Sequence, residues 1–303
     1  MPSLKEIKGR IGSVKSTLKI TSAMKLVASA KLRKAQQTIE GMRPYERKLQ
    51  DILLRVMEQC GPTASLSGVY ARKEVQTDAE EMDAAPKQKI ALVAFASNSS
   101  LCGAFNANVV RLALETVRSY GDADVTVYSV GRKMAESMKK IGKPSPEDFQ
   151  KLADKPAYAP AAELAESLME AFREGRLDRV DLVYNHFVSS GKQVPVRETL
   201  LPMDSVISSE AAGVVEESDI DYILEPSASE LLEDLLPKSL RLKFYTALLD
   251  SNASEHAART VAMQTATDNG EDLLQELTLQ YNKGRQQKIT SEILDLAGGS
   301  QEK

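Results

Sequence analysis

The sequence predicts a mixed α/β protein: a long antiparallel two-helix coiled coil made from its two terminal segments, and a central α/β domain between them. Three observations predict it. An apolar stripe at helical spacing begins at Leu4 and runs for many turns without a proline before Pro44. A second seam of the same spacing occupies the far end of the chain. Between them the period changes, and short apolar runs alternate with helical stretches.

The first helix is expected over residues 4–57. Leu4, Ile7, Ile11, Val14 and Leu18 fall on one stripe, which slips near Thr21 and resumes at Met24, Ala28, Leu32, Ala35, Ile39 and Met42. At 1.5 Å per residue such a helix reaches about 80 Å, more than a compact core can cover. It needs an equally long partner, and residues 239–297 are the only candidate. Cys60-Gly61-Pro62 is expected to stop it near Gln59. Residues 61–88 are polar, with Thr77, Asp78, Glu80, Glu81 and Asp83, and read as a connector.

Lys89-Ile90-Ala91-Leu92-Val93-Ala94-Phe95-Ala96 is a short apolar run of the kind that buried strands use. A loop, Ser97-Asn98-Ser99-Ser100-Leu101-Cys102-Gly103-Ala104-Phe105-Asn106, leads into a helix to about Tyr120. Residues 125–130 form a second strand, ended by Gly131. A helix through Met134 and Met138 stops at Gly142-Lys143-Pro144, and another spans about 160–174. Residues 180–188 form a third strand. Residues 193–201 form a fourth, with Pro195 favouring an edge. The alternation gives a small Rossmann-like sheet covered on both faces.

An acidic, Ser-rich connector covers 203–221. Ser227 is placed to cap a short helix through Leu231, Leu232, Leu235 and Leu236, and Pro237 kinks it or starts the next. The last helix carries Leu242, Tyr245, Leu249, Ala253, Ala257, Thr260 and Met263 on one face, a seam of mostly small residues that allows close approach. Gly298-Gly299 is its expected stop. The domain organisation is thus 1–59 N-terminal coiled-coil helix, 60–88 connector, 89–203 central α/β domain, 204–226 connector and 227–303 C-terminal coiled-coil helix.

Charge is unevenly spread. Lys5, Lys8, Arg10, Lys15, Lys19, Lys25, Lys31, Arg33 and Lys34 face Glu6 alone in the first 34 residues, although the whole chain carries a net charge of −4. The first helix is expected to meet a negative partner surface. A nucleic-acid groove would show clustered Arg and stacking aromatics, whereas these are mostly lysines with no aromatic before Tyr45. A mitochondrial presequence is disfavoured because the helix continues through Glu40, Glu46 and Asp51. No apolar run is long enough to span a bilayer, so a membrane role is expected to be peripheral.

Chemistry-bearing constellations are sparse. Cys60 and Cys102 make neither a disulfide framework nor a metal motif, and free thiols are expected. The Ser-Asn-Ser-Ser-Leu-Cys-Gly loop follows a strand, as phosphate loops do, but matches neither GxxxxGK[ST] nor GxGxxG, and reads as a plain strand-to-helix turn or a contact surface. His186 and His256, the only histidines, lie on different elements, so any general base would be a carboxylate. Asp219 and Asp221 form an acidic pair that reads as a solvated connector rather than a metal site.

Two segments together are more than generic. Ile7-Lys8-Gly9-Arg10-Ile11, the run from Lys19-Ile20-Thr21 through Met24-Lys25-Leu26-Val27-Ala28, Lys31-Leu32-Arg33-Lys34-Ala35 and Arg43-Pro44-Tyr45 resemble the N-terminal helix of the γ subunits of F-type ATP synthases. At the other end the same family is resembled by Ala253-Ser254-Glu255-His256-Ala257-Ala258-Arg259-Thr260-Val261-Ala262-Met263. Ala266-Thr267-Asp268-Asn269-Gly270, Tyr281-Asn282-Lys283-Gly284-Arg285-Gln286 and Ile289-Thr290-Ser291-Glu292-Ile293 are similar too. Leu101-Cys102-Gly103-Ala104-Phe105-Asn106 carries the likeness into the middle. Gly299-Ser300-Gln301 departs from the family's small-residue tail, and the redox cysteine insert of the chloroplast form is not apparent.

The resemblance, of bacterial type, implies a rotor shaft. Its terminal helices would form an antiparallel coiled coil inside a ring of three α and three β subunits. Its α/β domain would meet the membrane c ring and the ε subunit. Proton- or sodium-driven rotation would push each β subunit through its nucleotide states for ATP synthesis, or the reverse. It implies contacts with β at Met24, Arg259, Arg285, Gln286, Thr290 and Glu292, and with the c ring and ε at Tyr222 and Glu225. It implies no catalytic, cofactor or metal residue in this chain, no nucleic acid, no membrane span, and a peripheral place on the cytoplasmic face of the bacterial inner membrane. The competing readings are a structural coiled-coil tether, which would show ordinary heptads with large a and d residues, and a nucleotide- or RNA-binding protein with a helical arm, which would bind alone.

Overall fold

The computed structural model of the chain describes residues 3–65, 70, 87–203, 224–225 and 227–299. Its elements in order are α1 (Leu4–Ser65), β1 (Lys89–Phe95), α2 (Phe105–Ser119), β2 (Asp124–Val130), α3 (Arg132–Lys140), α4 (Gln150–Asp154), α5 (Tyr158–Arg173), β3 (Arg179–Ser189), β4 (Lys192–Leu201) and α6 (Ala228–Gly299). They divide into two compact units, residues 1–30 with 259–303, and residues 31–258.

The second unit is built on a four-stranded sheet of order β2-β1-β3-β4. β1 is parallel to β2 and to β3, pairing Phe95 with Val130 and Ala94 with Val183. β4 runs antiparallel to β3 at the edge, where Pro195 lies opposite Asn185, the position in a sheet where a residue without an N–H is tolerated. β1 is central, so its continuous apolar run is explained by burial on both sides. Ala91, Val93 and Phe95 pack with Leu164 and Leu168 of α5 and with Leu240, Phe244 and Leu248 of α6. Ile90, Leu92 and Ala94 pack with Val109 and Ala113 of α2 and Met134 and Met138 of α3. Phe244, wholly buried, meets the Phe95 ring edge-on with centroids 5.6 Å apart. A fully buried Phe is worth about 1.5–3 kcal/mol, so this contact is a main fastening of α6 to the sheet. Leu32 and Ala35 of α1 close on Ala253 and Ala257 of α6, where small side chains let the backbones approach.

The first unit joins the start of α1 to the end of α6. Thr21, where the apolar stripe slips, is buried, and its hydroxyl meets that of Thr267 at 2.9 Å. Lys25 Nζ donates to Gln264 Oε1 at 2.6 Å. A Cβ added to Gly270 would lie 2.7 Å from Leu18 Cδ2, and one on Gly284 would lie 3.1 Å from Leu4 Cδ2. As α1 numbers rise, their α6 partners fall, so the pairing is antiparallel, and Leu4–Gly284, Leu18–Gly270 and Thr21–Thr267 keep one register. The two leucines are fourteen residues apart, as are the two glycines opposite them, a spacing of two heptads.

One expected helix boundary is corrected, and one left open at Pro237 is decided. α1 does not stop at Gln59 but continues through Cys60-Gly61-Pro62 to Ser65. A proline three residues from a helix end removes one ladder bond and leaves little helix beyond it to distort. The short helix before Pro237 and the long one after it are one element, α6, with Pro237 inside it. Ser227 caps that element as expected, its Oγ accepting from the Glu230 amide at 3.3 Å. The short α4 has no counterpart in the sequence reading.

Candidate partner-contact surface

The side chains left over once these seams are filled define the outward surface. Eight of the nine early basic residues are exposed; the ninth, Lys25, is half-buried and held by Gln264. Large apolar side chains stand among them. Ile20, Leu26 and Val27 are exposed on α1, Leu26 at 68%, and Leu279, Ile289, Ile293 and Leu294 are exposed on α6, Leu279 at 70%.

The residues expected from the resemblance fall as follows. Arg285, Gln286, Thr290 and Glu292 are exposed together within two turns of α6. Thr290 Oγ1 donates back to the Gln286 carbonyl at 2.9 Å, and Glu292 lies 3.7 Å from Lys288 Nζ. Such an exposed ion pair is worth about 0–1 kcal/mol, so both side chains are easily redirected. Met24 is half-buried, and Arg259 is buried at 8% exposure. Glu225 is exposed; Tyr222 lies outside the described residues, as does the Asp219/Asp221 pair.

The loop after β1 is closed on itself. Asn106 Oδ1 accepts from the Ser97 amide at 3.1 Å and the Ser97 hydroxyl at 3.0 Å, while Asn106 Nδ2 donates to Cys102 Sγ at 3.1 Å. Asn98 bridges to α3 and α4 by accepting from the Arg132 amide and donating to the Gln150 carbonyl. Gly131 is required here, since a Cβ would sit 2.1 Å from the Ala96 carbonyl oxygen. The Ser97 amide is thus taken up by Asn106 within the loop itself. Leu101, at the tip with φ 67°, points outward and is more than half exposed.

Two polar groupings escaped sequence reading. Asp181, with no exposure, accepts from Arg179 Nε at 2.8 Å, from Arg197 Nε at 2.7 Å and from the Tyr120 hydroxyl. Burial first, and the Asp181 bond second, push the Tyr120 hydroxyl up to about 12. His186 Nδ1 lies 2.5 Å from Asp250 Oδ2, and Asp250 Oδ1 accepts from the Phe187 amide at 3.0 Å. Burial raises the Asp250 carboxyl, a shift that His186 opposes. Among the described residues no cluster of three or more His, Cys, Asp or Glu is arranged to hold a metal, and no helix is long and apolar enough to cross a membrane.

Comparison with known proteins places this surface in context. A family model described as ATP synthase matches residues 3–301. The chain is 53% identical to the ATP synthase gamma chain of Bacteroides fragilis and 52% identical to that of Phocaeicola vulgatus, in each case over 99% of both chains. It is 39% identical to the ATP synthase gamma chain of Cytophaga hutchinsonii with the same coverage. Among solved structures, its fold is similar to a chain of the central stalk and c ring of the Tetrahymena thermophila mitochondrial ATP synthase, with a TM-score of 0.53 and 22% identity. That similarity covers 82% of this chain and 99% of the other.

Proposed function

Because the chain belongs to the ATP synthase gamma-chain family, we propose that it is the central rotor shaft of an F-type ATP synthase. It couples ion-driven rotation of the membrane c ring to the conformational cycle of the catalytic β subunits, in synthesis or in reverse. The observation that carries this reading is end-to-end identity of about half with gamma chains of known relatives. The chain is a non-catalytic subunit; the nucleotide chemistry belongs to α and β. Its place is peripheral, on the cytoplasmic face of the bacterial membrane.

The physical features suit the task. A shaft transmits torque only if its helices do not slide, and the paired Leu–Gly fits and the Thr21–Thr267 bond hold one register. Its outer contacts must also let go at every step. Exposed lysines bear on acidic levers with pairings worth about 0–1 kcal/mol each, too weak to lock one angle. Contact with β is assigned to Met24, Arg259, Arg285, Gln286, Thr290 and Glu292, and contact with the c ring and ε to Tyr222 and Glu225. Mixing the purified chain with α and β tests the reading: one copy joins three of each and changes ATP turnover. A chain that leaves turnover unchanged, or stays out of the complex, refutes it.

A further inference from the structure

A cavity of about 320 Å³ lies within the unit of residues 31–258, between α1, the β3–β4 edge and α6, and the reading above makes no use of it. Leu49, Leu53, Val196, Leu240 and Ala247 give it apolar walls. Three carboxylates line it, Glu46 from α1, Glu198 from β4 and Asp250 from α6, against two basic groups, Lys243 from α6 and His186 from β3. Glu46 and Lys243 are engaged by neighbours, and Asp250 by His186 and the Phe187 amide. By formal charge, with all three carboxylates ionised, the lining stays negative in excess even when His186 is protonated. Its neighbours register that field. Burial first, then the charges of Glu198 and Asp250 and the hydrogen bond that the Tyr184 hydroxyl gives Glu198, drive that hydroxyl far above its ordinary value, and Glu198 adds to the rise at Asp250. The Thr246 hydroxyl on the cavity wall is shut off from solvent and has no hydrogen-bond partner among the described residues.

We propose that this cavity receives one basic side chain, lysine or arginine, from a protein partner docking on this face. The methylene stem of such a side chain fits the leucine and valine walls, and its charged head meets Glu198. A buried cation is costly without a paired anion, and here the anion is already in place. A neutral or anionic group would leave the excess charge uncompensated. That the occupant comes from a protein rests on the reading of the chain as a subunit; the preference for a cation does not.

The test uses the full chain with methyl-labelled Leu, Val and Met, titrated by NMR with propylguanidinium and butylammonium, and with propylurea as the neutral control. Both cations shift the methyls of Leu53, Val196 and Met203, propylurea does not, and Glu198→Gln weakens the cations by about tenfold. Equal binding of propylurea, or indifference to Glu198→Gln, overturns the proposal. If that variant loses its dispersed spectrum, Glu46→Gln on α1 serves instead, with the same two outcomes. Carbodiimide amidation of Glu198 then identifies the source. It proceeds in the isolated chain and is blocked in the assembled complex; equal labelling in both overturns the partner. The titration needs no assembly, so it holds or fails independently of the rotor reading.

Discussion

Asp181 holds two arginines from different strands and a tyrosine at the end of α2, with the Arg197 guanidinium stacked 4.7 Å from the Tyr120 ring centre. Removing the shared carboxylate leaves two cations facing each other. Breaking a buried pair costs about 3–5 kcal/mol, and because both arginines are about one-third exposed, Asp181→Asn is expected near 2–3 kcal/mol by urea unfolding. Asp250 gives a pH signature. Its folded-state carboxyl is raised above 3.8, so the folded chain holds that proton more tightly than the unfolded one. Its contribution is present below the ordinary carboxylate range and is lost as pH rises through the folded value. Asp250→Asn is expected to remove that loss, so the stability of the variant relative to the parent rises with pH across this window in thermal melts. These residues were not legible in the sequence. Asp181 meets Arg197 through the β3–β4 register and His186 meets Asp250 across 64 residues, and no local spacing encodes either.

At the scale of elements, much more was readable. Every residue of the α1 stripe from Leu4 to Met42 is buried or half-buried, because a period of three to four has only one structural meaning over so many turns. The edge position of β4 followed from Pro195, and the start of α6 from Ser227. The stop at Gly61-Pro62 was misread because a proline that close to a helix end is tolerated, and of the two outcomes open at Pro237 a new helix start is excluded because the turns on both sides of it are held by packing. Leu232 packs with Leu53 and Val56 before Pro237, and Leu240 joins the sheet core after it. Phe244→Ala is expected to cost about 3–5 kcal/mol, read as a lowered urea midpoint. The two glycines of α6 should differ. Gly284→Ala meets only the tip of Leu4, at the helix start, and should gain up to about 1 kcal/mol of helix propensity, whereas Gly270→Leu collides with Leu18 and should lower the melting temperature.

For the whole molecule, function was legible through motifs at both ends, while the contacts that carry it depend on partners. Arg285 is exposed, so Arg285→Ala should leave helicity and assembly intact while weakening the coupling of ATP turnover to rotation, measured as ATP-driven ion pumping in vesicles. Loss of helicity or of assembly would remove its assigned role. The lysines along α1 make docking electrostatic, so the rate of joining α and β should fall steeply as salt shortens the screening length. The leucines at positions 4 and 18 and the glycine notches facing them behave like two teeth on a spline. Advancing one helix by a turn would drive both teeth out of their notches at once. Twist applied at one tooth is therefore delivered at the other rather than dissipated as slip.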